Sequence, residues 1–191
     1  MTVLVENCFD WLGYHILEEL LENDYETAGV DEITTDFKEH LSMLVGRNAL
    51  FRHITEPERE NKYDSSIVVK SDQLIITRDG QQTTVELPLL FGEWMPMNEA
   101  GIYRQNNHIP FDSNFFQKNA VYVDDFVRSL LLWMKASQLP GVLEVKSATD
   151  DKEVNIKLEN SVYIRNNIPI NELVGLVKNH YNKYRNIYQC H

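Results

Sequence analysis

The opening stretch from Thr2 to Asp31 constrains the fold more than any other part of the chain. Thr2–Val5 (TVLV) is a short apolar run rich in β-branched residues, the pattern of a buried strand. From Leu12 to Glu22 the residues Leu12, Ile16, Leu17, Leu20 and Leu21 recur at three- and four-residue spacing, while Glu18, Glu19 and Glu22 fall outside that stripe. This spacing predicts an amphipathic helix. Asn23–Asp24 ends it, and Glu26–Val30 predicts a second strand that stops at Asp31. Strand, helix and strand in this order form a β–α–β unit, whose strands lie parallel and whose crossover is right-handed. The chain is therefore expected to be an α/β protein with a mostly parallel sheet and flanking helices.

Thr35–Leu44 predicts a helix with Phe37, Leu41, Met43 and Leu44 as its apolar members, and Asn48–Ile54 a third strand. Thr55–Tyr63 is polar and reads as a loop. Ser65–Leu90 reads two ways. One is a helix from about Ser66 to Arg78 followed by a strand Thr83–Leu87. The other is a β-meander of Ile67–Val69, Leu74–Thr77 and Thr83–Leu87, turning at Asp79–Gly80, and by local propensity it is at least as good. Phe91–Phe116 is loop-rich, with Pro96, Gly101 and Pro110. Ala120–Val123 reads as a short strand. Asp124 or Asp125 then caps a helix to about Ser137 whose buried stripe is Phe126, Val127, Leu130, Leu131 and Met134. Leu139–Gly141 turns the chain into a strand Val142–Val145. Val154–Leu158 and Val162–Ile164 look like a hairpin pair. Asn171 caps a last helix to about Tyr188, with Leu173, Leu176, Val177, Tyr181 and Tyr184 on one side.

The length of 191 residues suits one domain, residues 1–191, and no internal repeat is present. The net charge of -11 opposes nucleic acid as a partner, because phosphate binding needs clustered Lys and Arg. Ten acids and no base lie between Met1 and Asp36. That run reads either as a solvated helix face or as a surface for a basic protein partner. Cys8 and Cys190 have no zinc spacing and form no disulfide framework. The N-terminus lacks a basic region before its apolar residues, and no run of 18 apolar residues occurs. A cytoplasmic protein without a membrane span is expected.

Two stretches together resemble the extended short-chain dehydrogenase/reductase family, the NAD-dependent epimerases and dehydratases. VLVENCFDWLGYHILEELLENDYETAGVD, Val3 to Asp31, keeps without a gap the spacing of the family's strand, Gly-x-x-Gly-x-x-Gly turn, helix and second strand. VYVDDFVRSLLLWMKASQLPGVLEVKSAT, Val121 to Thr149, is similar to the family's strand-to-helix junction followed by Pro-Gly and a strand. ELPLLFGEWMP, Glu86 to Pro96, resembles the loop near its substrate, and IPINELV the start of its C-terminal helix. The resemblance implies a Rossmann-like fold, shortened by the part between about Phe51 and Lys70. That part would have carried the family's fourth and fifth strands, the helices between them and the helices of its usual dimer.

The same resemblance shows what has been lost. Its three glycine positions fall on Asn7, Asp10 and Gly13, so only the third survives. In the fingerprint the first glycine permits the turn, the second lets backbone approach the pyrophosphate, and the third lets helix and strand pack closely. Asn7 tolerates unusual backbone angles. Asp10 puts an anion where phosphates would come. Two unit charges ~4 Å apart repel by ~1 kcal/mol in water and ~4 kcal/mol at an effective dielectric of ~20. Asp10 could instead serve as an internal cap of the helix. Asp31 matches the family's ribose-binding acid. The family's Tyr-x-x-x-Lys falls near Ser66 and Lys70, and Tyr63 has Ile67 four residues on. Tyr181 is followed at that spacing by Arg185. A serine cannot replace phenolic acid/base chemistry.

No catalytic residue and no metal site is expected, since His15, His40, His53, His108, His180 and His191 show no ligand spacing. His15 reads as a structural residue of the first helix. No cofactor is expected, and NAD or NADP only if the degenerate loop at Asn7, Asp10, Gly13 and Asp31 still binds one. Phe91, Trp94, Tyr103 and Arg104 form a candidate ligand cleft. The C-terminal run with Lys178, Lys183 and Arg185 among tyrosines reads as an amphipathic helix, or as a nucleic-acid surface. Three functions follow as expectations: a non-catalytic binding or regulatory protein of epimerase/dehydratase type, a cut-down enzyme or nucleotide-sugar binder, and a protein-interaction module using Glu18, Glu19 and Glu22.

Overall fold

The computed structural model describes residues 1–55, 63–148 and 160–189. The N-terminal elements are β1 (Thr2–Glu6), α1 (Trp11–Glu22), β2 (Glu26–Val30), α2 (Asp36–Val45) and β3 (Phe51–Ile54). Next come β4 (Ser65–Val69), β5 (Gln73–Arg78), β6 (Gln81–Glu86) and β7 (Leu89–Phe91). The third group is β8 (Gly101–Arg104), β9 (Asn107–Pro110), α3 (Asn114–Asn119) and β10 (Ala120–Tyr122). The chain continues through α4 (Val123–Lys135), β11 (Val142–Ser147) and β12 (Ser161–Ile164) to α5 (Ile170–Lys183) and α6 (Arg185–Tyr188).

The central sheet has, among the described residues, eight strands in the order β12-β11-β6-β5-β4-β1-β2-β3. Five neighbouring pairs are parallel, and the two pairs that include β5 are antiparallel. The order β3-β2-β1-β4 is that of a Rossmann-like half, with the strand order reversing between β1 and β4. The fold is thus α/β with a mostly parallel sheet and flanking helices.

Strand alternation builds the core. Val3, Val5, Ile67, Val69, Leu74, Ile76, Val85, Leu143 and Val145 all point to one face and join the buried stripes of α1 and α4, which pack on each other. Leu4 and Ala28 point to the opposite face and, although buried, lie outside this cluster. All five apolar residues expected along α1 are buried, as is the expected stripe of α4.

The meander is the form taken by Ser65–Glu86, not the helix. Its second turn has Asp79 at φ 51° and Gly80 at φ 73° between the paired residues Arg78 and Gln81, the two-residue geometry that hairpins favour. The place beside β1 is filled by β4, so the position expected to be missing with the shortened region is occupied. Gly101–Pro110, expected as loop, is the hairpin β8–β9. Gln105 and Asn106 take positive φ there, and Gln105 carries no turn signal in sequence.

Several ends differ from expectation. α4 starts at Val123 with Tyr122 at the N-cap, so Asp124 and Asp125 lie in its first turn. Asp125 instead accepts from the backbone N–H of Asn167 at 3.1 Å and from its amide. Pro169, not Asn171, precedes α5, and the last helix breaks at Tyr184. Leu176, Met43 and Leu44 are exposed. Of the expected hairpin pair, Val154–Leu158 lies outside the described residues, while Val162–Ile164 belongs to β12, which runs parallel to β11.

Candidate functional site

The turn after β1 uses up its own hydrogen-bonding groups. Asn7 sits at φ 57°, which asparagine tolerates, and its side-chain amide donates to the Val69 carbonyl at 2.7 Å. The backbone N–H groups of Asn7 and Cys8 donate to the Val30 carbonyl at 2.8 and 3.5 Å, and that of Asp10 to the Asn7 carbonyl at 3.2 Å. The Phe9 N–H donates to Asp31 Oδ2 at 2.9 Å. The N–H groups of Asn7, Cys8, Phe9 and Asp10 are therefore committed inside the protein.

Charge closes the same place. Lys38, from the first turns of α2, reaches Asp31 Oδ1 at 2.6 Å and Asp10 Oδ1 at 3.2 Å. The Asp31 side chain is only 5% exposed, so this is a largely desolvated pair. Burial alone would lower the pKa of Lys38, but the contacts with Asp31 and Asp10 outweigh it and hold the ammonium above its usual value. Asp10 occupies the N-cap position of α1 yet makes no side-chain cap bond, which corrects the expectation of an internal cap. Its carboxylate is drawn to Lys38 instead. The triad carries one excess negative charge, which repels an anionic group placed against it.

Beside this turn lies a cavity of about 450 Å3 at the carboxyl ends of β1, β2, β4 and β6, where the strand order reverses. Open α/β sheets bind ligands at this kind of switch point. Asp10 and Trp11 line it from α1, Thr35 and Lys38 from α2, Lys70 and Ser71 from the turn after β4, and Leu87 and Pro88 from the loop after β6. The Lys70 N–H closes that turn on the Gln73 carbonyl at 3.0 Å. Arg104 Nη2 donates to the Leu87 carbonyl at 3.3 Å, which steadies the guanidinium at the cavity wall.

Of the four residues expected to form a ligand cleft, Tyr103 and Arg104 line this cavity, whereas Phe91 and Trp94 do not. Phe91 is fully buried against Phe116 and Tyr122. Trp94 is buried among His40, His180, Tyr184 and Tyr188. It takes φ 63°, and its N–H donates to the Tyr188 hydroxyl at 2.7 Å, which also meets His180 Nδ1 at 2.8 Å. Trp94 therefore ties α5 and α6 to the body of the protein. Burial lowers the His180 pKa to about 4.

Ser66 and Lys70 belong to a strand and its turn, so they span ~13 Å at ~3.3 Å per residue and share no helical face. Tyr63 lies before β4, at the end of that strand away from Lys70, with its hydroxyl near Arg52 at 3.3 Å. Cys8 is buried, and burial with Asp31 beside it pushes its thiol up, away from nucleophilic character. His15 contacts the Glu93 carbonyl at 3.0 Å, a structural place. Glu18 accepts from Tyr14 at 2.9 Å and Glu19 from Asn23 at 3.1 Å, so two acids of the N-terminal face are engaged within their own helix. Lys178, Lys183 and Arg185 lie over the rings of Phe111, Tyr184 and Tyr181. Among the described residues no group of His, Cys, Asp and Glu is placed to hold a metal ion, and no helix is long and apolar enough to cross a membrane.

Lys38 is a site residue that the sequence patterns leave unmarked. A signal for it exists: it is the first base in the chain, after ten acids, and two of those acids are its partners.

No protein-family model matches the sequence, and no curated protein matches it. Among solved structures, a stretch covering 30% of this chain and 17% of the other is 28% identical to yeast methylglyoxal/isovaleraldehyde reductase Gre2, solved in complex with NADPH, with a TM-score of 0.26. The chain thus spans a small fraction of that reductase, and the fold assignment rests on the strand order itself.

Proposed function

We propose that this chain is a non-catalytic, shortened relative of the extended short-chain dehydrogenase/reductase class, working as a binding or regulatory module whose cleft takes a small molecule other than a nicotinamide dinucleotide. One observation carries the reading: Asp31, Lys38 and Asp10 join in an ion triad where the cofactor's phosphates and ribose would lie. The retained Gly13 and the left-handed Asn7 keep the turn as architecture, and its N–H groups serve the protein itself. The sequence holds no Tyr-x-x-x-Lys to face the cleft, so hydride transfer would lack its acid/base partner.

The test is a titration of the purified protein with NAD, NADP, NADH and NADPH. The expected result is no thermal shift at millimolar cofactor and no change in reduced-cofactor fluorescence. A nicotinamide cofactor carried through purification, or a dissociation constant below about 100 μM, would sink the proposal. Such a constant stabilises by more than ~1 kcal/mol at ~1 mM ligand and is readily seen in a melt.

A further inference from the structure

The cleft that remains open has a charge character opposite to that of the chain. The protein carries a net charge of -11, yet the cavity wall presents Lys38, Lys70 and Arg104 against a single acid, Asp10. Lys38 is spent on both Asp10 and Asp31, and Asp10 on Lys38. Among the described residues Lys70 and Arg104 have no carboxylate partner, and the Arg104 guanidinium bonds only to a backbone carbonyl. Most of the remaining wall is apolar, with Trp11, Leu87, Pro88, Pro96 and Tyr103 among its residues beside the polar Thr35, Ser71 and Gln105. A cavity of about 450 Å3 falls in the ordinary range for small-molecule sites, ~300–1,000 Å3.

We infer that the ligand of this cleft is an amphipathic organic anion: a single carboxylate, sulfonate or phosphate-ester head held by Lys70 and Arg104, on an apolar or aromatic body held by Trp11 and the Leu87–Pro88 and Pro96 wall. This inference rests on the binding role proposed above and deepens it. The head belongs at the Lys70 and Arg104 side because the Asp10 triad, with its excess negative charge, repels a second anionic group. Arginine presents a planar fork that matches an oxyanion, and lysine adds a mobile point charge. A ligand with two well-separated anionic groups is selected against by the same triad.

The experiment compares two dyes with the same apolar body. 8-Anilinonaphthalene-1-sulfonate carries one sulfonate, and N-phenyl-1-naphthylamine is its uncharged counterpart. With the intact chain, the sulfonate dye is expected to bind at one site with at least tenfold higher affinity than the neutral dye. The double substitution Lys70→Ala and Arg104→Ala is expected to weaken the sulfonate dye at least tenfold and leave the neutral dye unchanged. Lys70→Arg retains binding, and Arg47→Ala, outside the cleft, changes nothing. Melting curves of each variant verify that it is folded. Equal affinity for both dyes, or sulfonate binding indifferent to the double substitution, overturns the anion assignment and leaves a binding cleft standing. Binding of neither dye up to millimolar concentration overturns both the assignment and the small-molecule role.

Discussion

Gly13 sits against the backbone of the turn before it: a Cβ at this position would lie 2.2 Å from the Asn7 carbonyl oxygen. Of the three fingerprint positions, the one kept as glycine is the one that the protein needs for its own packing. The two that face outward carry Asn7 and Asp10. Gly13→Ala should therefore cost about 2–3 kcal/mol, because the obstacle is backbone and cannot swing away, and thermal unfolding by circular dichroism should fall by roughly 5–10 °C. The triad gives a second prediction. Asp31→Asn strips the half-buried Lys38 of its nearer carboxylate, and Lys38→Met leaves Asp31, 5% exposed, with an uncompensated charge. Each should lose about 2–4 kcal/mol. In a double-mutant cycle by urea unfolding the pair should show coupling above about 1 kcal/mol, and additive losses would mean that the ion pair is not made. The fingerprint spacing is legible in sequence because the turn is local. The triad is not, since the seven residues from Asp31 to Lys38 cross from a strand end into a helix whose docking no local pattern encodes.

At the scale of elements, β1, α1 and β2 appear where hydrophobic periodicity puts them, within a residue at each end. Period alone serves there because each element buries one clear stripe. The meander is only half legible. Ile67, Leu74, Ile76 and Val85 suit strand or helix, and Asp79–Gly80 decides for the hairpin because both residues must take positive φ. Gly80→Val should cost about 1–2 kcal/mol through that backbone angle, as a β-branched residue disfavours it, although space around Gly80 is open. Gly175 is the converse. It lies inside α5, and a methyl group added there would meet nothing within 4 Å, so Gly175→Ala should raise stability by about 0.5–1 kcal/mol. A melt that moves down would place Gly175 in a contact. Trp94 marks what element-level reading cannot see. Its aromatic character suggests a ligand wall, but its neighbours come from α2, α5 and α6, and their convergence is a tertiary fact.

The whole molecule is tied at its far end by the same cluster, and this tie is sensitive to acid. His180 is folded in its neutral form, with a pKa lowered to about 4 chiefly by burial. Nearby Glu93 opposes the shift, while His15, Lys183 and His40 reinforce it. The unfolded chain binds the proton near pH 6.5 and the folded chain only near 4. Stability linked to this residue is thus present above pH 6.5 and falls between pH 6.5 and 4. The melting temperature should decline across that interval, and His180→Gln should flatten the decline even if it lowers the neutral-pH value. An unchanged slope in the variant would assign the acid sensitivity to other groups. In the sheet, crossover connections preserve strand direction, whereas every hairpin reverses it. From β4 to β6 the chain makes two reversals, so β6 again points the way of β1 and β4. It delivers Leu87 and Pro88, and with them the carbonyl that holds Arg104, to the rim where Asp10 and Lys70 already stand. A single reversal would have sent them to the opposite rim, with β11 and β12 inverted in turn. The meander obeys a parity rule: turns here can lengthen or shorten freely, but strands can be gained or lost only in pairs without dismantling the cleft.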